Sequence, residues 1–298
     1  MRAVISAILI VLGCVTAPLA LTGFWVAGDI ADTDRYVGTM APLATDPDIR
    51  EEVVEHVTVA ITGPLRKRTP SPAEDLVRTL VEGVVAGEGF PSLWEDANRV
   101  AHRQLVAVLS GDGGQGAPED GTVSIDLTPV YDRVRAPVDD LMRQELGAPL
   151  PALRPVIELS SSADLVRVRA LYTWSLRLKW VLPVLSLAFL VAGVALAGDR
   201  MRALLGAGLG LAASMLVLAA GLAVIRDVYL PEYLSSAMSD AAATTVFDTL
   251  TGSLRAGLRV IFAVGLALAG TAFFLAHRAR RAGRRHQPAA PANDVAAG

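Results

Sequence analysis

Four long stretches carry no charged side chain at all: residues 3–27, 181–197, 203–225 and 260–276. A bilayer core is crossed by roughly 20 apolar residues of helix. Inside it every backbone polar group must find its partner within the segment, which favours helices. The second stretch extends back to Leu176, and the fourth to Leu254, if Arg177, Lys179, Arg255 and Arg259 lay their aliphatic stems along the helix and place their charges among headgroups. The pattern predicts a mainly α membrane protein: a four-helix transmembrane bundle with an α-rich extracytoplasmic domain containing a small β-sheet. Hydrophobic residues make up 52% of the chain. Because they gather in these runs, one ordinary polar stretch is left that is long enough to bury a core of its own.

The expected organisation is a first transmembrane helix and signal anchor at 1–27, an extracytoplasmic domain at 28–177, and a second span at 178–197. A third span at 203–225, an extracytoplasmic loop at 226–254 and a fourth span at 255–276 follow. A basic tail at 277–298, read as disordered and cytoplasmic, closes the chain. Arginine sets the direction, because positive charge in short flanks stays in the cytoplasm. With the N-terminus inside, the cytoplasm receives Arg2, Arg200, Arg202 and the cluster Arg278, Arg280, Arg281, Arg284 and Arg285, against Asp199 and Asp294. The other side receives residues 28–177, with 15 Lys/Arg and 24 Asp/Glu. The predicted localisation is therefore the plasma membrane, multi-pass, with both termini cytoplasmic. Arg167, Arg169, Arg177 and Lys179 oppose this assignment, but long domains cross largely regardless of charge.

The first stretch is read as an uncleaved anchor, with two rivals. Val11-Leu12-Gly13-Cys14 loosely matches a lipoprotein box, yet apolar sequence continues for more than ten residues beyond Cys14. Val26-Ala27-Gly28 offers small residues for a signal peptidase. Cys14 is the only cysteine. The domain at 28–177 therefore has no internal disulfide or cysteine metal site and must be held by packing.

Within that domain Asp32 or Thr33 can cap a helix running to about Ala44, and Asp46-Pro47 pairs a cap with a proline at the first helical position. Ile49, Val53, Val57 and Ile61 then repeat at four-residue spacing, up to Gly63-Pro64. Ser71-Pro72-Ala73-Glu74 is a capping box ahead of Leu76/Val77, Leu80/Val81 and Val84/Val85. A further helix from Pro91 carries Leu93, Ala97, Ala101, Leu105 and Val108. Residues 122–127 alternate as a half-buried strand, and Val156-Ile157-Glu158-Leu159 is a second. Between them, 129–146 reads as a helix kinked at Pro137. From Asp164 a helix is expected to run straight into the second span, with no breaker before Pro183.

Chemical motifs are weak. Gly111-Asp112-Gly113-Gly114-Gln115-Gly116 fits G-x-G-x-x-G, but a helix precedes it and Ala117-Pro118-Glu119 follows, so no helix N-terminus meets a phosphate. Asp32-x-Asp34, Asp46-x-Asp48 and Asp139-Asp140 lack the oxygens and glycine turn of a calcium loop, and the first two serve better as caps. His56 and His102 lie on separate helices with no third ligand placed by spacing. Glu74-Asp75 and Glu95-Asp96 are adjacent on helices, so their carboxylates point apart. No nucleophile has a recognisable base. No catalytic, cofactor-binding or metal-ligating residue is therefore assigned, and no cofactor. Gly206-x-x-x-Gly210 allows close helix approach, either within the chain or to a second copy as a homodimer. No acidic or histidine side chain lies mid-span, which argues against a stand-alone ion-coupled transporter. The basic tail suits anionic lipid rather than nucleic acid.

The stretch 25–37, Ala41-Pro42-Leu43-Ala44, Asp46-Pro47, Ser124-Ile125-Asp126-Leu127, Ile157-Glu158-Leu159, Ser162-Ala163-Asp164-Leu165 and Leu178-Lys179-Trp180-Val181-Leu182-Pro183 resemble a family of uncharacterised actinobacterial four-span integral membrane proteins. An arginine-rich composition poor in Lys and Asn fits such a high-GC source. The resemblance implies the four-span layout and transfers no activity or functional residue. In layout alone the chain is similar to permeases of the cell-division and macrolide-exporter type. It departs from them inside, where 198–202 is too short for an ATPase-coupling helix. The expected function is a non-enzymatic envelope protein whose extracytoplasmic domain binds or senses a protein partner, with the lipid bilayer as its setting. The alternative is a permease-like subunit coupled to a separate ATPase, and an outer-facing hydrolase comes third.

Overall fold

Short polar signals start the helices, and tertiary burial decides where they end. The computed structural model describes residues 1–63, 72–110, 123–126, 156–159, 162–234 and 238–285. Helix α1 is Arg2–Trp25, followed by one π-helical turn at Val26–Ile30. Asp32 caps α2, Thr33–Met40, accepting the Arg35 N–H at 3.0 Å. The expected continuation to Ala44 tightens into a 3-10 turn at Ala41–Thr45. Pro42 has no N–H to donate to the Gly38 carbonyl, so the α pattern stops there. Asp46 caps α3, Pro47–Thr62, accepting from Asp48 N at 3.0 Å and Ile49 N at 3.2 Å. Helices α4, Pro72–Ala86, and α5, Phe90–Ser110, follow. Then come α6, Ser162–Leu178, α7, Val181–Leu196, and α8, Arg200–Val224. After a second π turn at Ile225–Tyr229 come α9, Leu230–Leu234, and the 46-residue α10, Asp240–Arg285.

Two expectations of fold class are corrected. Among the described residues, three helical segments, not four, are long and apolar enough to cross a membrane: Arg2–Ile30, Arg200–Glu232 and Asp240–Arg278. The expected second span fails because the helix from Asp164 does not run through. It breaks at Lys179-Trp180, leaving α7 with 16 residues, and α6 and α7 qualify only together, as a bent pair. Pro183, third in α7, cannot donate to the carbonyl of Lys179, and its ring crowds that group. The small β-sheet is likewise reduced. Among the described residues, β structure is one antiparallel pair, β1 Val123–Asp126 and β2 Val156–Leu159, with Val123 opposite Leu159 and Asp126 opposite Val156. Two four-residue strands with no third neighbour make no layer on which a core can form. The architecture is mainly α. Residues 129–146 and the glycine-rich 111–116 lie outside the described residues.

The chain forms two compact units. The apolar unit comprises Met1–Ala20, Leu182–Ala219 and Ala256–Gly298. Small residues let its helices meet. A Cβ on Gly13 would lie 2.7 Å from Leu190 Cγ, and one on Gly193 3.1 Å from the Ser6 carbonyl oxygen, so α1 and α7 touch nearly backbone to backbone. The Ser6 hydroxyl donates to Gly193 O at 2.6 Å and the Ser186 hydroxyl to Gly13 O at 2.9 Å. Helices α8 and α10 cross at Gly208 and Gly265 in the same way.

The head unit comprises Leu21–Val181 and Ala220–Arg255. Its first core joins Ala44, Val54, Ile61, Val77, Val81, Val85 and Phe90. The valines of α4 are those the capping box and apolar pairs pick out. On α3 the buried set is Ile49, Val54, Thr58, Ile61 and Thr62, while Val57 is 37% exposed. A strict four-residue repeat drifts around a helix of 3.6 residues per turn, and burial follows the alternating three-four spacing instead. A second core gathers Met40, Leu43, Ile49 and Ala242, with Tyr36, Trp94, Val246 and Leu250 packed against it. Burying a side chain such as Met40 or Leu43 contributes about 1.5–3 kcal/mol. The stretch 226–254, expected as a loop, is thus largely helical, and its second half is core.

Candidate functional site

The best-organised polar cluster of the head unit surrounds His102 on α5, a helix whose inward face is Phe90, His102 and Leu109. His102 is 4% exposed. Its Nε2–H donates to the Ile30 carbonyl at 2.8 Å, an oxygen that can only accept, so Nδ1 accepts from the Thr33 hydroxyl at 3.1 Å. The ring stacks on Tyr36, centroids 4.1 Å apart. Burial pushes the imidazole below its ordinary value, against the opposing pull of the Ile30 hydrogen bond and the Asp32 charge. Both ring nitrogens are used, so neither is left to bind a metal or take a substrate proton. The site locks the start of α2 to α5.

A pH signature follows. The unfolded chain protonates His102 near 6.5, and the folded chain only below that. The His102 contribution to stability is therefore full above its ordinary 6.5 and is lost as pH falls below it, because the unfolded state binds the extra proton. Thermal midpoints of the full chain between pH 7.5 and 5 should show that slope, and His102→Gln should be less stable but flatter. Glu52 is separable. Burial raises its carboxyl, but hydrogen bonds from Ser239 and the neighbouring His56 bring the net shift downward, so it acts only below its ordinary 4.5. An unchanged slope in His102→Gln would contradict the assignment.

His56 does not join His102. It is exposed on α3, with Nδ1 3.1 Å from Glu52 Oε1. Glu52 Oε2 accepts the Ser239 N–H at 2.9 Å, just before α10. Among the described residues, no three His, Cys, Asp or Glu side chains stand together as metal ligands. Asp34 pairs with Arg99, and Arg78 with Glu51 and Glu82. In Glu74-Asp75 and Glu95-Asp96 one member is half-buried and the other exposed, as adjacent helix positions require. Asp139-Asp140 lies outside the described residues.

A second cluster, invisible to spacing, sits between the π turn Ile225–Tyr229 and the N-terminal half of α10. Asp248 takes Arg226 through both Nε and Nη2, at 2.9–3.1 Å, and Arg255 Nη2 at 2.7 Å. Arg226 also meets Asp227 at 3.1 Å, and Arg255 lies 5.6 Å over the Phe247 ring. Nearby, Trp25 Nε1–H donates to Leu250 O at 3.2 Å, and the Ser253 hydroxyl donates to Asp29 at 2.7 Å. Phe24 meets Trp180 edge to face at 5.6 Å, and Trp174 and Trp180 are more than 60% exposed. Both tryptophans lie within a few residues of Arg177 and Lys179 in sequence, and exposed tryptophans at the end of an apolar segment suit a membrane–water interface. The arrangement ties the helix ends together.

Of the glycines singled out for dimerisation, Gly210 is covered within the chain, where an added Cβ would lie 2.8 Å from Cys14 Sγ, while Gly206 has open space. Cys14 itself is buried beside Ala207 O. The three apolar helical segments suit a membrane-spanning protein. No protein-family model, curated protein or solved structure matches this chain.

Proposed function

We propose that this is an integral plasma-membrane protein whose head unit lies outside the cytoplasm and binds or senses a protein partner there, without catalysis. One observation carries the reading. Helix α10 supplies Ala242, Val246 and Leu250 to the head core and, in the same unbroken helix, the apolar residues 260–276. A change in the head's packing therefore has a continuous element along which to reach the membrane segment. The arginine asymmetry of the short flanks supports the orientation, with both termini cytoplasmic. Three crossings alone would leave the termini on opposite sides, so this orientation requires the bent pair α6–α7 to carry the chain across once more.

Photo-crosslinkers at Val57 and Val59, both exposed on α3, test the binding role in intact cells of the native host. A discrete adduct with an envelope protein is expected at one or both positions. Adducts with an ATPase subunit would favour the permease-like alternative. Absence of any adduct from a correctly inserted chain would contradict the proposal.

A further inference from the structure

We propose that the apolar unit holds one anionic phospholipid at the start of α8, with the phosphate at Arg202 and an acyl chain on either side. The inference rests on the reading that the chain spans a membrane.

Two grooves flank Arg202. The larger, about 400 Å³, runs between the first turns of α1 and the start of α8, lined by Ala3, Ala7, Ile10, Ala203 and Gly206. The smaller, about 150 Å³, lies on the other side, between Leu205, Phe273 and Ala276. Arg202 borders both. Small side chains make the larger groove: a Cβ on Gly206 would meet nothing within 4 Å. Of its polar lining, the Ser6 hydroxyl donates to Gly193 O and the Asp199 carboxylate is paired with Arg202. Water gains little in such a groove, and a hydrocarbon chain fills it without leaving a polar group unpaired.

Charge selects the headgroup. This end carries Arg2, Arg200, Arg202 and Arg278 against Asp199. Arg202 is 78% exposed in its side chain, with Nε 3.2 Å from Asp199 Oδ2. Arg278, one residue beyond the His277 that lines the second groove, lies 5.1 Å over the Phe274 ring. A guanidinium shared by two apolar grooves has the layout of one phosphate bearing two chains. Anionic headgroups are favoured over zwitterionic ones by the excess of arginine.

The full-length chain, purified in detergent, is titrated with phosphatidylglycerol or phosphatidylcholine of identical chains and read by native mass spectrometry. Phosphatidylglycerol should be retained on the order of fivefold better, and Arg202→Gln should abolish that preference. Gly206→Leu should reduce retention of both lipids by filling the groove. Arg202→Lys, which keeps the charge, should retain a weaker preference, and it serves if Arg202→Gln does not fold. Equal retention of the two lipids overturns the proposal, as does a preference unchanged in Arg202→Gln. So does a second copy of the chain in place of lipid that Gly206→Leu displaces. Alkaline extraction of membranes is read first: a chain released by it would sink the membrane reading itself, whereas equal lipid retention by an embedded chain sinks only this site.

Discussion

Alanine at Gly208 is expected to lower stability by about 1–3 kcal/mol, and leucine there to prevent assembly of α8 with α10. The added Cβ would lie 2.6 Å from Gly265 O and 2.8 Å from Ala269 N, both backbone atoms that cannot swing aside. Gly265 faces the reciprocal problem, with Gly208 O at 2.8 Å and Ala212 N at 3.1 Å. Lipid tails are as apolar as the helices, so close backbone approach supplies much of the attraction between spans. Pushing the helices apart forfeits dispersion contacts along the whole crossing. Gly221→Ala is the control, since nothing lies within 4 Å of its Cβ. Unfolding midpoints in one detergent should fall for Gly208→Ala and hold or rise for Gly221→Ala, which is exposed inside α8. Equal behaviour of the two would mean that the α8–α10 crossing is not where the structure places it.

Proline at Gly252 is expected to cost about 3 kcal/mol or more and to separate the head core from the apolar segment. Gly252 lies inside α10, where proline would remove the hydrogen bond to the Asp248 carbonyl and crowd that oxygen. Asp248 is also the carboxylate that gathers Arg226 and Arg255, so the disturbance falls on the polar cluster as well. Alanine at the same position should act oppositely, raising stability by roughly 0.5–1 kcal/mol, because Gly252 is exposed with open space around its Cβ. Thermal unfolding of the two variants checks the signs. Under the sensing proposal, Gly252→Pro should keep the α3 crosslink while losing any response in the apolar segment. A crosslink lost in Gly252→Pro would point instead to collapse of the head.

Local chemistry made the helix starts legible. Asp32, Asp46-Pro47 and Pro72 each act on the turn they open, and each helix begins where these residues place it. The apolar runs were equally plain, since nothing but burial or lipid suits them. Features set by distant residues were not. The first turns of α10, with Ala242, Thr244 and Thr245, look like a polar loop until Met40 and Leu43 cover them. Arg226 and Asp248 stand 22 residues apart with no periodic relation, so only the approach of the π turn Ile225–Tyr229 to α10 brings them together. Pro183 was visible, but its effect falls on the preceding turn, and the break moves to Lys179-Trp180. His102 could be recognised as a lone helix histidine. Its partners, Thr33 and the Ile30 carbonyl, lie some seventy residues away.

Placement of the head unit outside the cytoplasm is tested most directly by cysteine labelling in intact cells. Ser92→Cys puts a thiol on an exposed turn of α5, and Gly198→Cys one in the exposed link between α7 and α8. The native Cys14 is buried and adds no background. A membrane-impermeant maleimide should label Ser92→Cys in intact cells and Gly198→Cys only after permeabilisation. Labelling of Gly198→Cys alone, or of both before permeabilisation, would contradict the account.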